Sequence, residues 1–471
     1  MRVVNSGLGM TAASVVALLL ATAAGAQDAT LDLRDAMVAA MTSNPQINQA
    51  VQNKEATEFE RKQAQGQFLP RISVEGSAGV RQLTNDTRRS LGIADQTLWP
   101  IEADLNVSQV LYDSGARAAE LKRQAARTDG AAHRVEERSQ FIALNVARQY
   151  FDYMLQQRIV AAADDNVAFH QKLAADLQQG VEKGSISIAD EQQAQERLKA
   201  ALARRVEAQE DLESAAISFR TLTGIGIDQV RMPAPIVASL PPTLDDAIEG
   251  ARLHNPLVRE AQSDVSAADQ MINGARAALG PTVSLEGAVR YGKDIDGFAG
   301  RTEDYLGRVV LRWSVFDGGI NRANVQEQIR RASESRYHLH QVQREAEEEA
   351  RTAWSRLQNQ TKLLAEVEDQ SHVADDLLLS YRQQFNVGRR SLLDVLDTQN
   401  TRFNIQVQRE TARFAVLYAQ YRLLAATDKL LDAMGITPQG AAKATEMDRF
   451  KYGPLLPAEL HARHYTDRGG Y

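Results

Sequence analysis

One residue pattern occurs twice in this chain at a constant offset, and that duplication constrains the fold more than any other feature. Leu33, Ala36, Ala40, Asn44 and Pro45 match Leu244, Ala247, Ala251, Asn255 and Pro256. The offset holds through Pro70-Arg71-Ile72-Ser73 against Pro281-Thr282-Val283-Ser284, and through Glu75-Gly76 against Glu286-Gly287. After a small length change the match resumes. Tyr112-Asp113-Ser114-Gly115 aligns with Phe316-Asp317-Gly318-Gly319, Tyr150 with Trp354, Gly184 with Gly388, Ser187 with Ser391, Ile188 with Leu392 and Asp190 with Asp394. Chance matches between Ala-rich helices would not keep one offset through Pro, Gly and Asp, so the halves are duplicates. The organisation this predicts is a repeat over 27–231, a Pro-containing linker at 232–242, a second repeat over 243–434 and an irregular tail at 435–471.

Both halves follow the same order. Asn44 and Asn255 are placed to cap a helix whose first residue is the following Pro. Pro70 and Pro281 then stop that helix before alternating segments begin. The first hairpin is expected at about 71–112 and the second at about 282–316. Ile72, Val74, Gly76, Ala78 and Val80 share one face of the first strand, opposite Ser73, Glu75, Ser77 and Arg81. In the second copy Val283, Leu285, Val289 and Tyr291 oppose Thr282, Ser284, Glu286 and Arg290. The returning strands set Leu105, Val107 and Leu111 against Asn106 and Ser108. They set Tyr305, Val309, Leu311, Trp313 and Val315 against Arg308 and Arg312. Runs of about 10 alternating residues fit tilted barrel strands in lipid. A half-buried strand of a soluble sheet is the commoner source of such alternation. Four strands, however, are too few to make a core among so many helical residues. They are also too few to close a barrel, which takes about eight. Three chains together reach about twelve, so the hairpins ask for an oligomer.

The first residues read as an export signal: Arg2, the apolar run Val15 to Ala24, and an Ala24-Gly25-Ala26 cleavage site, giving a signal peptide over 1–26 and a mature start at Gln27. The apolar run is shorter than the ~20 residues of a membrane helix. Among the 471 residues there is no cysteine. That removes disulfides, thiol nucleophiles and a lipid-anchoring cysteine. A net charge of −7 gives no electrostatic reason for a nucleic-acid partner.

Ala116 to Gln179 and Asn321 to Phe385 are predicted as unbroken helices. About 64 residues make a rod of roughly 95 Å. In the last helix Leu396, Phe403, Leu417, Leu424 and Leu431 recur on one line, with Leu393, Val407, Phe414 and Tyr421 beside it. Sevenfold spacing implies left-handed supercoiling against neighbouring helices. A cytoskeletal-type coiled coil shares that spacing but would have neither the export signal nor the hairpins.

The stretch Phe385-Asn386-Val387-Gly388-Arg389-Arg390-Ser391-Leu392-Leu393-Asp394-Val395-Leu396-Asp397 resembles the helical-tip motif of TolC-family outer-membrane exit ducts. Thr401-Arg402-Phe403-Asn404 and Tyr418 to Leu424 fit as well, and the resemblance runs to about Met434. It implies a mainly α fold with membrane β-hairpins. Duplicated coiled-coil helices would form a periplasmic α-barrel, and four strands per chain would join a homotrimeric outer-membrane β-barrel of about twelve strands. It also implies the outer membrane of a Gram-negative bacterium, contact with outer-membrane lipid, and passage rather than catalysis, with no cofactor. The implied partners are a periplasmic membrane-fusion adaptor and an inner-membrane ABC or proton-driven exporter. The Gly-Arg-Arg-Ser-Leu-Leu-Asp form and the missing lipid-anchor cysteine resemble members serving type I protein secretion; multidrug efflux is the alternative, and a periplasmic adaptor or scaffold a further one.

Carried over by motif, Asp394 and Asp397 correspond to an acidic ring at a narrow neck. Three residues apart on a helix, they share one side, and like charges there would raise some pKa values and attract cations. Arg390 matches the family's gate arginine and Asp190 its partner at the first-half tip. Phe385 stands where several relatives carry a Tyr whose hydroxyl joins the latch, so the gate would rest more on Arg390 and Arg389. Gly184, Ser187, Gly388 and Ser391 mark the turns that would meet the adaptor. Aspartates on a solvated face and glycines at ordinary helix ends are the plainer readings. His338 and His340 are two apart on a helix and diverge. His461 and His464 have ligand-like spacing without supporting carboxylates. Glu345 to Glu349 reads as a solvated face, and no phosphate-binding, nucleophile-elbow or zinc motif occurs.

Overall fold

The computed structural model describes residues 30–438 and residue 440. The export signal, His461, His464 and most of the tail lie outside the described residues. The first half runs α1 (Leu33–Ser43), α2 (Pro45–Gly66), β1 (Arg71–Ala78), β2 (Arg81–Gln82), α3 (Asp86–Ser90), β3 (Thr97–Leu98), β4 (Ile101–Tyr112), α4 (Ala116–Glu182) and α5 (Ile188–Thr223). The second repeats the order: α6 (Leu244–His254), α7 (Pro256–Ala277), β5 (Thr282–Lys293), β6 (Arg301–Arg312), α8 (Ile320–Asn386), α9 (Leu392–Ala426) and α10 (Leu430–Ala433). The hairpin loop of the first half is the main departure from simple duplication, since α3 and the small β2–β3 pair sit between β1 and β4.

The repeated residues build repeated junctions. Asn44 Oδ1 accepts Gln46 N–H, and Asn255 Oδ1 accepts Leu257 N–H, both at 2.9 Å. The next residue is proline, which has no N–H to satisfy there. At the strand-to-helix corners Asp113 accepts from Gly115 and Arg117 N–H, and Asp317 from Gly319 and Asn321 N–H. These corners need two successive left-handed residues, Ser114 (φ 56) with Gly115 (φ 95), and Gly318 (φ 69) with Gly319 (φ 88). Few residues other than glycine adopt that backbone cheaply, which explains the Tyr-Asp-Ser-Gly and Phe-Asp-Gly-Gly repeat.

The chain forms two compact units, and α4, α8 and α9 contribute to both. One comprises residues 30–40 with Val146–Pro235 and Asp369–Phe414. In it α5 buries Ala194, Ala201, Ala208 and Ala215, a sevenfold alanine seam that lets neighbouring helices approach closely. Ala174, Leu177 and Ala194 pack with Leu392 and Leu396, and Ala163 and Ala208 pack with Phe403. The sevenfold line of α9 is thus core at Leu396 and Phe403. Leu393, on the adjacent line, is 45% exposed, whereas its neighbour Leu392 is buried. Buried Asn166 and Gln399 hydrogen-bond at 2.8 Å. Tyr150 is fully buried, its hydroxyl 2.6 Å from Arg231 O and 2.8 Å from Leu31 O. Burial pushes this phenol up to about 12.

The other unit comprises Met41–Asn145, Ile236–Glu368 and residues 415–438. Its helical core joins Ala251, Val258 and Ala261 to Val342, Ala346 and Ala350, and Ala247 and Ala353 to Leu423 and Ala426. It also carries a four-stranded antiparallel sheet in the order β1-β4-β5-β6.

Candidate functional site

Two regions bear on function, each built within one unit. In the first, the α4–α5 and α8–α9 tips have the same construction. Gly184 and Gly388 both adopt φ 72. Ser185 N–H bonds Gly180 O and Gly184 N–H bonds Val181 O, both at 2.9 Å; Arg389 N–H bonds Gln384 O and Gly388 N–H bonds Phe385 O likewise. Each helix therefore ends in a Schellman stop. The next helix begins three residues beyond that glycine with a reciprocal cap. Ser187 Oγ accepts Asp190 N–H at 3.1 Å and donates to Asp190 Oδ2 at 2.8 Å. Ser391 and Asp394 repeat this at 3.2 and 2.8 Å. The serine–aspartate spacing that marks both tips is thus a helix-start device.

Asp394 and Asp397 are each paired with a cation within the protomer. Arg390 lies 3.6 Å from Asp394 and stacks over Tyr381, 4.0 Å from the ring centroid. Asp397 lies 3.5 Å from Arg197 of α5. No ion pair joins Asp190 to Arg390 within the protomer among the described residues. The Ser391 hydroxyl holds the Asp394 carboxyl below the usual carboxylate range, and Arg390 adds to the effect. Phe385 packs against the Leu392–Leu396 cluster with Ile186 and Leu198. Arg389 is exposed. Tyr381 and Arg197 were not singled out by the sequence. Tyr381 reaches Arg390 only across the turn, and Arg197 reaches Asp397 only through helix packing.

In the second region the sheet has two different faces. Val74, Leu105, Val289 and Tyr305 stand in one row across all four strands. With Ile72, Leu285, Tyr291, Val309 and Leu311 they form an apolar face that is exposed in the protomer. The opposite face carries Glu286 paired with Arg308 at 2.9 Å and Arg312 at 2.7 Å, and Arg290 paired with Glu102 and with Asp296. Tyr305 to Trp313 spans about 27 Å along the strand, or about 20 Å along a normal tilted by ~40°. That is somewhat short of the roughly 25 Å of a membrane-facing apolar band with aromatics at each edge, and Val315 extends the alternation by two residues. A register shift between Val110 and Tyr112 interrupts the alternation near Leu111. Beyond the strands, Arg88 is fully buried and donates to Gly297 O, Ile93 O and Gln96 O, tying the two hairpin loops together.

No helix among the described residues is long and apolar enough to cross a membrane. Among the described residues no group of three or more His, Asp or Glu is arranged to hold a metal ion.

Duplicated, capped helical rods carrying a two-faced sheet with open edges define a helical protein that contributes part of a membrane barrel. The chain belongs to the outer membrane efflux protein family, whose model matches residues 36–225 and 247–428, and within it to the TolC-like channels. It is 26% identical over 210 residues to the outer membrane efflux protein BepC of Brucella suis biovar 1, covering 43% of this chain and 45% of BepC. It is 26% identical over 311 residues to the protein CyaE of Bordetella pertussis, covering 63% of this chain and 62% of CyaE. The chain thus spans about half to under two thirds of the length of these relatives. The crystal structure of the Campylobacter jejuni CmeC outer membrane channel shares the fold, with a TM-score of 0.74 at 14% identity over 84% of this chain and 86% of that one. Family membership makes this a channel protein and not an enzyme, and sets aside the adaptor reading.

Proposed function

We propose that the chain is one protomer of a homotrimeric exit duct in the outer membrane of a Gram-negative bacterium, serving type I protein secretion. The two repeats, 27–231 and 243–434, would each supply one hairpin and one set of tunnel helices. The supporting observation is the sheet itself. Among the described residues its edges β1 and β6 are both unpaired, one face is apolar and exposed, and the other is laced with ion pairs. Unpaired edges in lipid cost several kcal/mol per stranded group. Joining β6 of one copy to β1 of the next removes that cost, and three copies reach about twelve strands.

Passage would be gated at the tips, with Asp190, Phe385, Arg389 and Arg390 in the latch and Asp394 and Asp397 at the neck. Gly184, Ser187, Gly388 and Ser391 would form the turns offered to a membrane-fusion adaptor, which in turn joins an inner-membrane ABC exporter. An exposed pair such as Arg390–Asp394 contributes only about 0–1 kcal/mol, so modest adaptor contacts suffice to release it. Since Arg390 and Arg197 partly neutralise the two aspartates, cation preference at the neck would depend on whether those pairs persist in the trimer. Single-channel currents test this: Asp394→Asn with Asp397→Asn should lower cation selectivity, and unchanged selectivity would contradict the neck. Drug efflux is the second reading, favoured by the similarity to BepC, an outer membrane efflux protein. Deletion decides between them. Loss of a large exported protein with unchanged drug tolerance supports secretion; the reverse supports efflux.

A further inference from the structure

The apolar face of the sheet ends, on its loop side, in a charged row. Ala78, Ile101, Lys293 and Arg301 stand opposite one another in register across β1, β4, β5 and β6. Strand alternation puts Lys293 and Arg301 on the face of Val289, Tyr291 and Tyr305, not on that of Glu286 and Arg290. Both are exposed. Like charges directly opposite one another weaken a sheet, so this pair is not there for the sheet's own stability.

The contrast with the other face is sharp. There Arg290, Arg308 and Arg312 are each held by a carboxylate. Lys293 and Arg301 have no ion-pair partner among the described residues. Glu303, opposite Tyr291, is the nearest carboxylate in register, but it lies one row into the apolar band, about 7 Å along the strand. In the proposed ring a neighbouring β1 would come beside β6. On this face β1 carries Ile72, Val74, Gly76 and Ala78, so it brings no counter-charge.

We propose that Lys293 and Arg301 bind the phosphate of a phosphorylated outer-leaflet glycolipid, with its acyl chains lying over Tyr305, Val289 and Val309. The inference rests on the duct reading, which turns this face to lipid and the hairpin loops outward. Two adjacent cations at the edge of an apolar, aromatic-lined band match an anionic headgroup attached to hydrocarbon. Free phosphate would meet only the exposed pair.

The test uses purified full-length protein in detergent, with native mass spectrometry titrating diphosphoryl lipid A, its dephosphorylated form and inorganic phosphate. Wild type should prefer the phosphorylated lipid. At about fivefold per surface cation, Lys293→Gln with Arg301→Gln should lose about 25-fold in affinity for it. Lys172→Gln, on α4 in the other unit, should lose none. Equal binding of both lipids by wild type, tight binding of inorganic phosphate alone, or an unaffected double variant would overturn the proposal. The wild-type comparison of the two lipids stands even if the double variant fails to assemble. Trimer formation in outer-membrane fractions is scored separately. Its absence would sink the duct reading, whereas a trimer without phosphate preference sinks only this site.

Discussion

Replacing Asp428 by asparagine should stabilise the protein above neutral pH and leave it unchanged in acid. Asp428 sits after α9 in a left-handed conformation (φ 59). Its carboxyl accepts from Gln140 Nε2 at 2.8 Å and lies 3.6 Å from Arg259, which also pairs with Glu136 at 3.2 Å. Burial, with Glu136 and Asp432 nearby, pushes its pKa from 3.8 to about 6, against the pull of Gln140 and Arg259. That rise is worth about 3 kcal/mol against the ionised form. Because the folded-state value is the higher one, the acid's contribution to stability is complete below pH 3.8 and lost as pH rises through about 6. Asparagine keeps an acceptor for Gln140, tolerates positive φ and carries no charge. The value of about 6 already includes the attraction to Arg259, so the expected gain is up to about 3 kcal/mol at about pH 7.5. Thermal unfolding in detergent, followed by far-UV circular dichroism from about pH 4.5 to 8, reads the difference. A variant that is no more stable than wild type at high pH, or whose advantage does not shrink in acid, would refute the reasoning.

Three further outcomes are expected. Gln399→Ala strands buried Asn166, so denaturant melts of the protein should show a loss of about 1–3 kcal/mol. Gly184→Ala and Gly388→Ala force a side chain into the left-handed region at the tips; each should cost about 1–2 kcal/mol, read as faster tip proteolysis without loss of outer-membrane assembly. Arg88→Met removes the donor to three loop carbonyls, at about 1 kcal/mol each, and should make the outer loops cleavable by protease added to intact cells, while leaving the trimer in place.

The duplication, both hairpins and the ends of the long helices were legible because proline, glycine and aspartate act locally. Asn44, Pro45, Pro70 and the Asp113–Gly115 corner dictate backbone geometry wherever they occur. Alternation in β1, β4, β5 and β6 likewise shows one apolar face without reference to anything distant. The site was legible in a different way: Asp190, Arg390 and Asp394 stood out by their motif, but what each touches did not.

Residues far apart in sequence become partners only through packing. Helix packing brings Arg197 to Asp397, the tip turn brings Tyr381 beneath Arg390, and loop docking buries Arg88 against Gly297. Hydrophobic periodicity marked the buried line of α9 but gave no sign of the alanine seam of α5, because alanine is common on every helix face. The serine–aspartate pairs at the tips show the same division. Their spacing marks where the helices begin, whereas only the tertiary structure decided that Asp397, one turn further along α9, faces Arg197 of α5. Backbone preferences are local and additive, so sequence reveals them; electrostatic partners depend on which helices meet, and that is settled by the fold.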